Sequence, residues 1–156
     1  MRLKMENQYF EMVMLIERLH RLFLDVVKAE LDQQNIIDIN NVQSLILYNI
    51  GPNKMSVGEV SNRGFYLGSN VTYNLKKLVE NDYLIQEQSA HDKRSSHIRL
   101  SKKGAALYEK LVKMVERHLA NLDRNGIKED QIKAMYKTMQ QLESFWSFIT
   151  SRDLRY

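Results

Sequence analysis

Between about Glu6 and Asp32 the apolar residues Tyr9, Val13, Ile16, Leu19, Phe23, Val27 and Leu31 recur at three- and four-residue steps. That period predicts a long amphipathic helix. A second apolar run, Val42 to Ile50, follows the Asp38–Asn41 cluster, which can cap it, and stops at the Gly51-Pro52 breaker. Ser56-Val57-Gly58-Glu59 has the form of a capping box, with the serine oxygen accepting from the amide three residues on and the glutamate reaching back. It predicts a short helix to about Gly64, then a turn over Phe65–Gly68. The next helix, from near Ser69 to Glu80, gathers Val71, Leu75, Leu78 and Val79 on one face.

Two strand-like pieces follow, Tyr83–Gln88 and His97–Leu100, joined by a polar and basic tip, Ser89 to Ser96, so a projecting hairpin is expected. Ser101 can cap a helix running to about Arg124. Gly126 breaks it, and a last helix begins near Glu129 or Asp130, whose charges suit a helix N-terminus. Ile132, Met135, Met139, Leu142, Trp146 and Ile149 again keep helical spacing. The predicted order is four helices, a hairpin and two further helices, without a repeat or an interdomain linker.

Composition sharpens this picture in three places. One proline and six glycines among 156 residues leave little material for loops and agree with a mostly helical chain. The absence of cysteine excludes disulfides, thiolate metal sites and thiol redox sensing. Glu17, Arg18 and Arg21 interrupt the apolar run from Met12 to Leu24, which therefore does not read as a secretory signal; no stretch approaches the ~20 apolar residues of a membrane span. A cytoplasmic protein without membrane contact is expected.

The net charge of +4 matters through its location. From Lys54 to Lys103 there are nine Lys or Arg against five acids, while the remainder holds fourteen of each. The whole positive excess lies in the middle third, as expected of a segment that meets phosphate.

That middle third reads as a helix-turn-helix followed by a wing. The second helix of such a unit presents its N-terminal residues to base edges in the major groove. Ser69, Asn70, Thr72, Tyr73 and Asn74 supply small or polar side chains there, and Lys76 and Lys77 are placed to reach phosphates. His20, His91, His97 and His118 lack close ligand spacing, so no metal is expected. No phosphate-cradling glycine loop, nucleophile elbow or zinc-protease motif occurs, which argues against an enzyme, and no cofactor is implied.

The wing carries Asp92-Lys93-Arg94, then His97-Ile98-Arg99-Leu100, then Ser101-Lys102-Lys103-Gly104. Upstream stand Asn70-Val71-Thr72-Tyr73, Leu75, Leu78-Val79-Glu80 and Tyr83-Leu84-Ile85. This pattern resembles the MarR family of winged helix-turn-helix regulators, sharply over about Ser56 to Gly104 and in element order over nearly the whole chain. The resemblance implies a mainly α fold with a small β-hairpin wing and N- and C-terminal dimerisation helices. It reads the chain as one domain, 1–156, with residues 40–104 as the DNA-binding region and 5–37 and 105–152 as the dimerisation region.

The resemblance also implies that Arg94 contacts DNA from the wing, in a narrow minor groove where the potential is most negative. Asp92 shapes the loop, with Lys93 and Ser95 beside it. The sequence departs from the family pattern at two places. Tyr73 stands where many members carry arginine, and Asp82 where they carry glycine.

One winged unit cannot bury both long terminal helices, and the family implies a two-fold dimer made by them. Recognition helices about 34–36 Å apart would then read a pseudo-palindromic site in double-stranded DNA. The expected function is a promoter-occupying regulator, a repressor, responsive to a small aromatic or phenolic effector. His20, Tyr48, Phe65 and Tyr66 are the candidate effector contacts by element order. The rival is a winged-helix protein-interaction module without DNA binding, which would have little reason to keep Arg94, Arg99, Lys102 and Lys103 together.

Overall fold

A computed structural model of the chain describes residues 2–64, 68–88 and 96–151, with the backbone alone at 2, 3, 64, 68 and 69. The described elements are α1 (Arg2–Gln33), α2 (Asn41–Ile50), β1 (Met55–Ser56), α3 (Val57–Gly64), α4 (Gly68–Glu80), β2 (Leu84–Gln88), β3 (Ser96–Leu100), α5 (Lys102–Arg124) and α6 (Glu129–Ser151). The chain divides into two compact units, residues 1–112 and 113–156.

Helix boundaries follow local chemistry. Asn40 caps α2 through a full capping box: its Oδ1 accepts from the Gln43 amide at 2.8 Å, and Gln43 Oε1 accepts from the Asn40 amide at 3.1 Å. The Ser56–Glu59 box forms as its spacing predicts, at 3.2 Å and 2.6 Å. Three helices end in one way. After α1, α4 and α5 the chain enters the left-handed region at Asn35 (φ 54), Asp82 (φ 61) and Gly126 (φ 82).

In each case the following amide reaches back five residues, Ile36 to Leu31 at 3.0 Å, Tyr83 to Leu78 at 2.8 Å and Ile127 to Leu122 at 3.0 Å. These are Schellman closures. They satisfy terminal carbonyls and pair an apolar residue beyond the helix with one in its last turn. Asn and Asp tolerate the conformation better than other side-chain-bearing residues, so Asp82 does the work of a glycine.

The hairpin is part of a three-stranded antiparallel sheet in the order β1-β3-β2. Met55 pairs with Ile98, and Gln86 with Ile98 from the other side. The two-residue β1 was not foreseen, because so short a strand carries no periodic signal; it forms where β3 offers it an edge.

The core of the first unit joins Val27 and Leu31 of α1, Ile46, Leu47 and Ile50 of α2, and Val60 of α3. Val71, Leu75 and Leu78 of α4, Met55, Leu84 and Ile98 of the sheet, and Leu107 and Leu111 of α5 are buried as well. The second unit holds the end of α5 and all of α6. No residue of α6 is buried, and Met135, Tyr136, Met139, Phe145 and Phe148 stand exposed. Along α1, Tyr9, Phe10, Leu15, Leu19, Leu22, Phe23 and Val26 are exposed too. None of the described helices is long and apolar enough to cross a membrane.

Candidate nucleic-acid interface

Helix α4 is two-faced. Val71, Leu75 and Leu78 are buried, whereas Asn70, Thr72, Tyr73 and Lys76 are exposed, Tyr73 by 59%. The exposed set is polar and lies toward the helix start, the geometry by which such a helix meets base edges. Lys76 and Lys77 both face Glu80, at 3.8 Å and 2.7 Å, and Lys77 lies 6.0 Å from the Tyr73 ring centroid. The Glu80 hydrogen bond holds the Lys77 ammonium above its ordinary range, and the same bond holds the Glu80 carboxyl below its own. Exposed pairs at this spacing are worth only a few tenths of a kcal/mol. Either lysine can therefore exchange the carboxylate for a phosphate at little cost.

Asn74 corrects the sequence reading. Placed among the base-reading residues on polarity, it is only 9% exposed and faces inward. Its Oδ1 accepts from Gln43 Nε2 of α2 at 3.2 Å, and its own Nδ2 donates to the Asn70 carbonyl at 2.8 Å. The signal was present in the spacing. Residues 71, 74, 75 and 78 fall at i, i+3, i+4 and i+7, the buried stripe of a helix.

The predicted wing residues Asp92, Lys93, Arg94 and Ser95 lie outside the described residues, as do Phe65, Tyr66 and the Ser69 side chain. The strands that carry the tip are well fixed. Glu87 on β2 accepts from Lys54 Nζ at 2.7 Å and from Arg99 Nε at 2.8 Å, bonds that hold its carboxyl below the usual range. At the wing base, Ser101 Oγ accepts from the Gly104 amide at 2.9 Å, and the Ser101 amide donates to the Tyr83 carbonyl at 3.1 Å. Gly104 approaches so closely that a Cβ there would lie 2.0 Å from the same Tyr83 carbonyl oxygen.

A polar cluster unseen in the sequence fastens this junction. Asp38, between α1 and α2, accepts from the Tyr83 hydroxyl at 2.7 Å and from Lys103 Nζ; its carbonyl accepts from Asn81 Nδ2 at 2.7 Å. Lys103 also donates to the Asn81 carbonyl at 2.9 Å and sits 4.2 Å from the Tyr83 ring centroid. Burial first, then the Asp38 carboxylate, pushes the Tyr83 hydroxyl far above its ordinary range. Burial alone would raise the Asp38 carboxyl, but the Lys103 and Tyr83 hydrogen bonds and the Lys103 charge outweigh it and hold the group low.

A depressed carboxyl stabilises the fold above its unfolded pKa of about 3.9, and that contribution fades as pH falls through the folded value. Asp38→Asn should therefore lower stability at pH 7 by about 1 kcal/mol, a charged hydrogen bond discounted for exposure. The gap to the native chain should narrow as pH falls below the unfolded value of about 3.9. Denaturation midpoints from pH 7 down through the acid range check this; a gap that does not change with pH would mean the carboxylate charge is not what stabilises.

Of the proposed effector contacts, His20 is exposed on α1, and Tyr48 is half-buried with its ring centroid 5.5 Å from that of Tyr108. No group of three or more potential metal-binding side chains occurs among the described residues.

A family model described as MarR family matches residues 37–95, which include α2, α3, α4 and β2. Over 141 residues the chain is 38% identical to the exopolysaccharide II synthesis transcriptional activator ExpG of Rhizobium meliloti, covering 88% of this chain and 71% of that protein. The chain belongs to the MarR family of transcriptional regulators.

Solved structures agree with that membership. The MarR-family fold of this chain matches Staphylococcus aureus MarR in complex with salicylate and kanamycin at a TM-score of 0.72 and 27% identity, over 94% of this chain and 97% of that one. It also matches Streptococcus pneumoniae FabT in complex with DNA at a TM-score of 0.70, over 90% of this chain and 99% of that one. At 22% identity the second likeness is one of fold.

Proposed function

We propose that this protein is a sequence-specific DNA-binding regulator that occupies a pseudo-palindromic promoter site as a homodimer. The observation that carries this is the division of α4, buried along Val71, Leu75 and Leu78 and polar and exposed at Asn70, Thr72, Tyr73 and Lys76. Family membership and the FabT–DNA complex support it. Asn70, Thr72 and Tyr73, with Ser69, face base edges, Lys76 and Lys77 take phosphates, and Arg94 enters the minor groove beside Asp92, Lys93 and Ser95.

The exposed apolar residues of α1 and α6 supply the dimer contacts, since patches of that extent on a small protein mark association surfaces. The whole chain then acts as one MarR-type domain in the cytoplasm. Staphylococcus aureus MarR is held in complex with salicylate, and here the tilted Tyr48–Tyr108 pair, with ring centroids 5.5 Å apart, is a surface on which an aromatic or phenolic effector can lie. Site occupancy represses where the site overlaps that of the polymerase. The rhizobial relative bears the name of an activator, so a reporter assay with the site moved along the promoter reads the sign.

Fluorescence anisotropy on the upstream region of the protein's own gene, and on a library selected from random DNA, is the direct test. Selective binding should weaken by about a thousandfold or more between 50 and 200 mM salt, as expected for six or more phosphate contacts. Arg94→Ala should weaken it further by about tenfold, the worth of one good base-edge or groove contact. Affinities no better than about 10⁻⁴–10⁻⁶ M on every sequence, the non-specific range, would overturn the proposal.

A further inference from the structure

We propose that Gln43 and Asn74 act as a pair of positioning residues that set the pose of α4 for sequence discrimination without touching DNA. This deepens the functional proposal and rests on α4 being the helix that reads bases. The buried polar side chains among the described residues are Gln43, Ser44 and Asn74, and all three lie on α2 or α4. Gln43 and Asn74 are each the one polar member of an otherwise apolar buried stripe. Residues 43, 46, 47 and 50 of α2 are buried at i, i+3, i+4 and i+7, as are 71, 74, 75 and 78 of α4. An apolar residue at either place would complete its stripe.

Instead the two amides form a connected run. The Asn40 amide donates to Gln43 Oε1, Gln43 Nε2 donates to Asn74 Oδ1, and Asn74 Nδ2 donates to the carbonyl of Asn70 in the first turn of α4. Each side-chain amide nitrogen in the run donates a hydrogen bond. Apolar contacts are non-directional and tolerate a small slide or rotation of one helix on another. A hydrogen bond of 3.2 Å between side chains 6% and 9% exposed does not, because a shift would leave an amide unpaired in a dry site. The run is anchored at one end by the α2 cap, and at the other it reaches the backbone of Asn70, whose side chain faces outward one turn before Asn74. It thereby fixes the angle at which Asn70 and Tyr73 are offered to a groove.

Selective and non-selective binding separate this role from one of stability alone. Asn74→Leu preserves size but leaves Gln43 Nε2 without its acceptor. Asn74→Ala, a good helix former, lets water reach Gln43 and serves if the leucine variant does not fold. Both are to be measured by anisotropy as full-length protein, on the selected site, on singly altered sites and on random duplex, with a salt titration.

The expected result is a loss of about tenfold in the ratio of selected-site to random-duplex affinity, roughly one base contact, with the salt dependence and random-duplex affinity unchanged. Adding Gln43→Leu to Asn74→Leu should cost no further discrimination, because the pair acts as one unit. An unchanged ratio in a folded Asn74 variant overturns the pair's role, while selective binding by the native protein that weakens in Arg94→Ala would leave the functional proposal standing. Absence of selective binding by the native protein would overturn both.

Discussion

Gly104→Ala should destabilise the protein by about 3 kcal/mol, toward the upper end of what overpacking a close contact costs. The new methyl carbon would meet the Tyr83 carbonyl oxygen at 2.0 Å and its carbon at 3.1 Å, well inside contact distance. Backbone must move, and both sides are held. On one side the Gly104 amide is bound to Ser101, which caps α5. On the other, Tyr83 is fixed by its amide to Leu78, by its carbonyl to Ser101, and by its hydroxyl to Asp38.

At roughly 2–4 °C per kcal/mol for a chain of this size, the melting temperature should drop by about 6–12 °C. Gly58→Ala is the control. Its Cβ would meet only Ser56 Oγ, at 3.9 Å, and alanine improves an exposed helical position by up to about 1 kcal/mol. Circular-dichroism melts of both variants settle the matter, and a Gly104→Ala change within 0.5 kcal/mol of native, on the order of a neutral surface substitution, would refute the close-packing account.

Phe145→Lys should convert a dimer to monomer and weaken selected-site binding by about a hundredfold or more, the avidity lost when two reading heads are no longer linked. Phe145 is 54% exposed in the single chain, so charging it removes little that holds the chain's own fold, and helicity should be retained. The added positive charge would by itself favour DNA, so any loss runs against the electrostatic trend. Leu22→Lys on α1, at 59% exposure, tests the other long helix in the same way. Sedimentation velocity gives the state of association and anisotropy the affinity. A variant that stays dimeric and binds as tightly as the native chain would remove that helix from the interface.

Features written in local chemistry could be read from the sequence. The Ser56–Glu59 capping box depends on a spacing of three, Gly126 on one conformational preference, and the stripe of α4 on a period of 3.6; all appear as expected. Polarity alone puts Asn74 among the base-reading residues, but its spacing from Val71 and Leu78 puts it on the buried side. Gln43 is the complementary case, a buried polar residue inside an otherwise apolar run that gives no local sign of its partner. The Asp38–Tyr83–Lys103 cluster could not be foreseen, since its members are 45 and 65 residues apart and nothing in their neighbours announces the meeting.

Those separations also bear on the order of events when the chain folds. Bringing residue 38 to 83 and 103 closes two long loops, and loop-closure entropy must be met before such distant contacts stabilise anything. The cap of α2 and the Schellman closure of α4 need only their own neighbours and can form early. The Asp38 junction is then a late latch, and interactions absent from the folding transition state act chiefly on the rate of opening. A base of the wing fastened in this way would owe its persistence to slow unlatching, while the speed with which the helices first assemble would be set elsewhere.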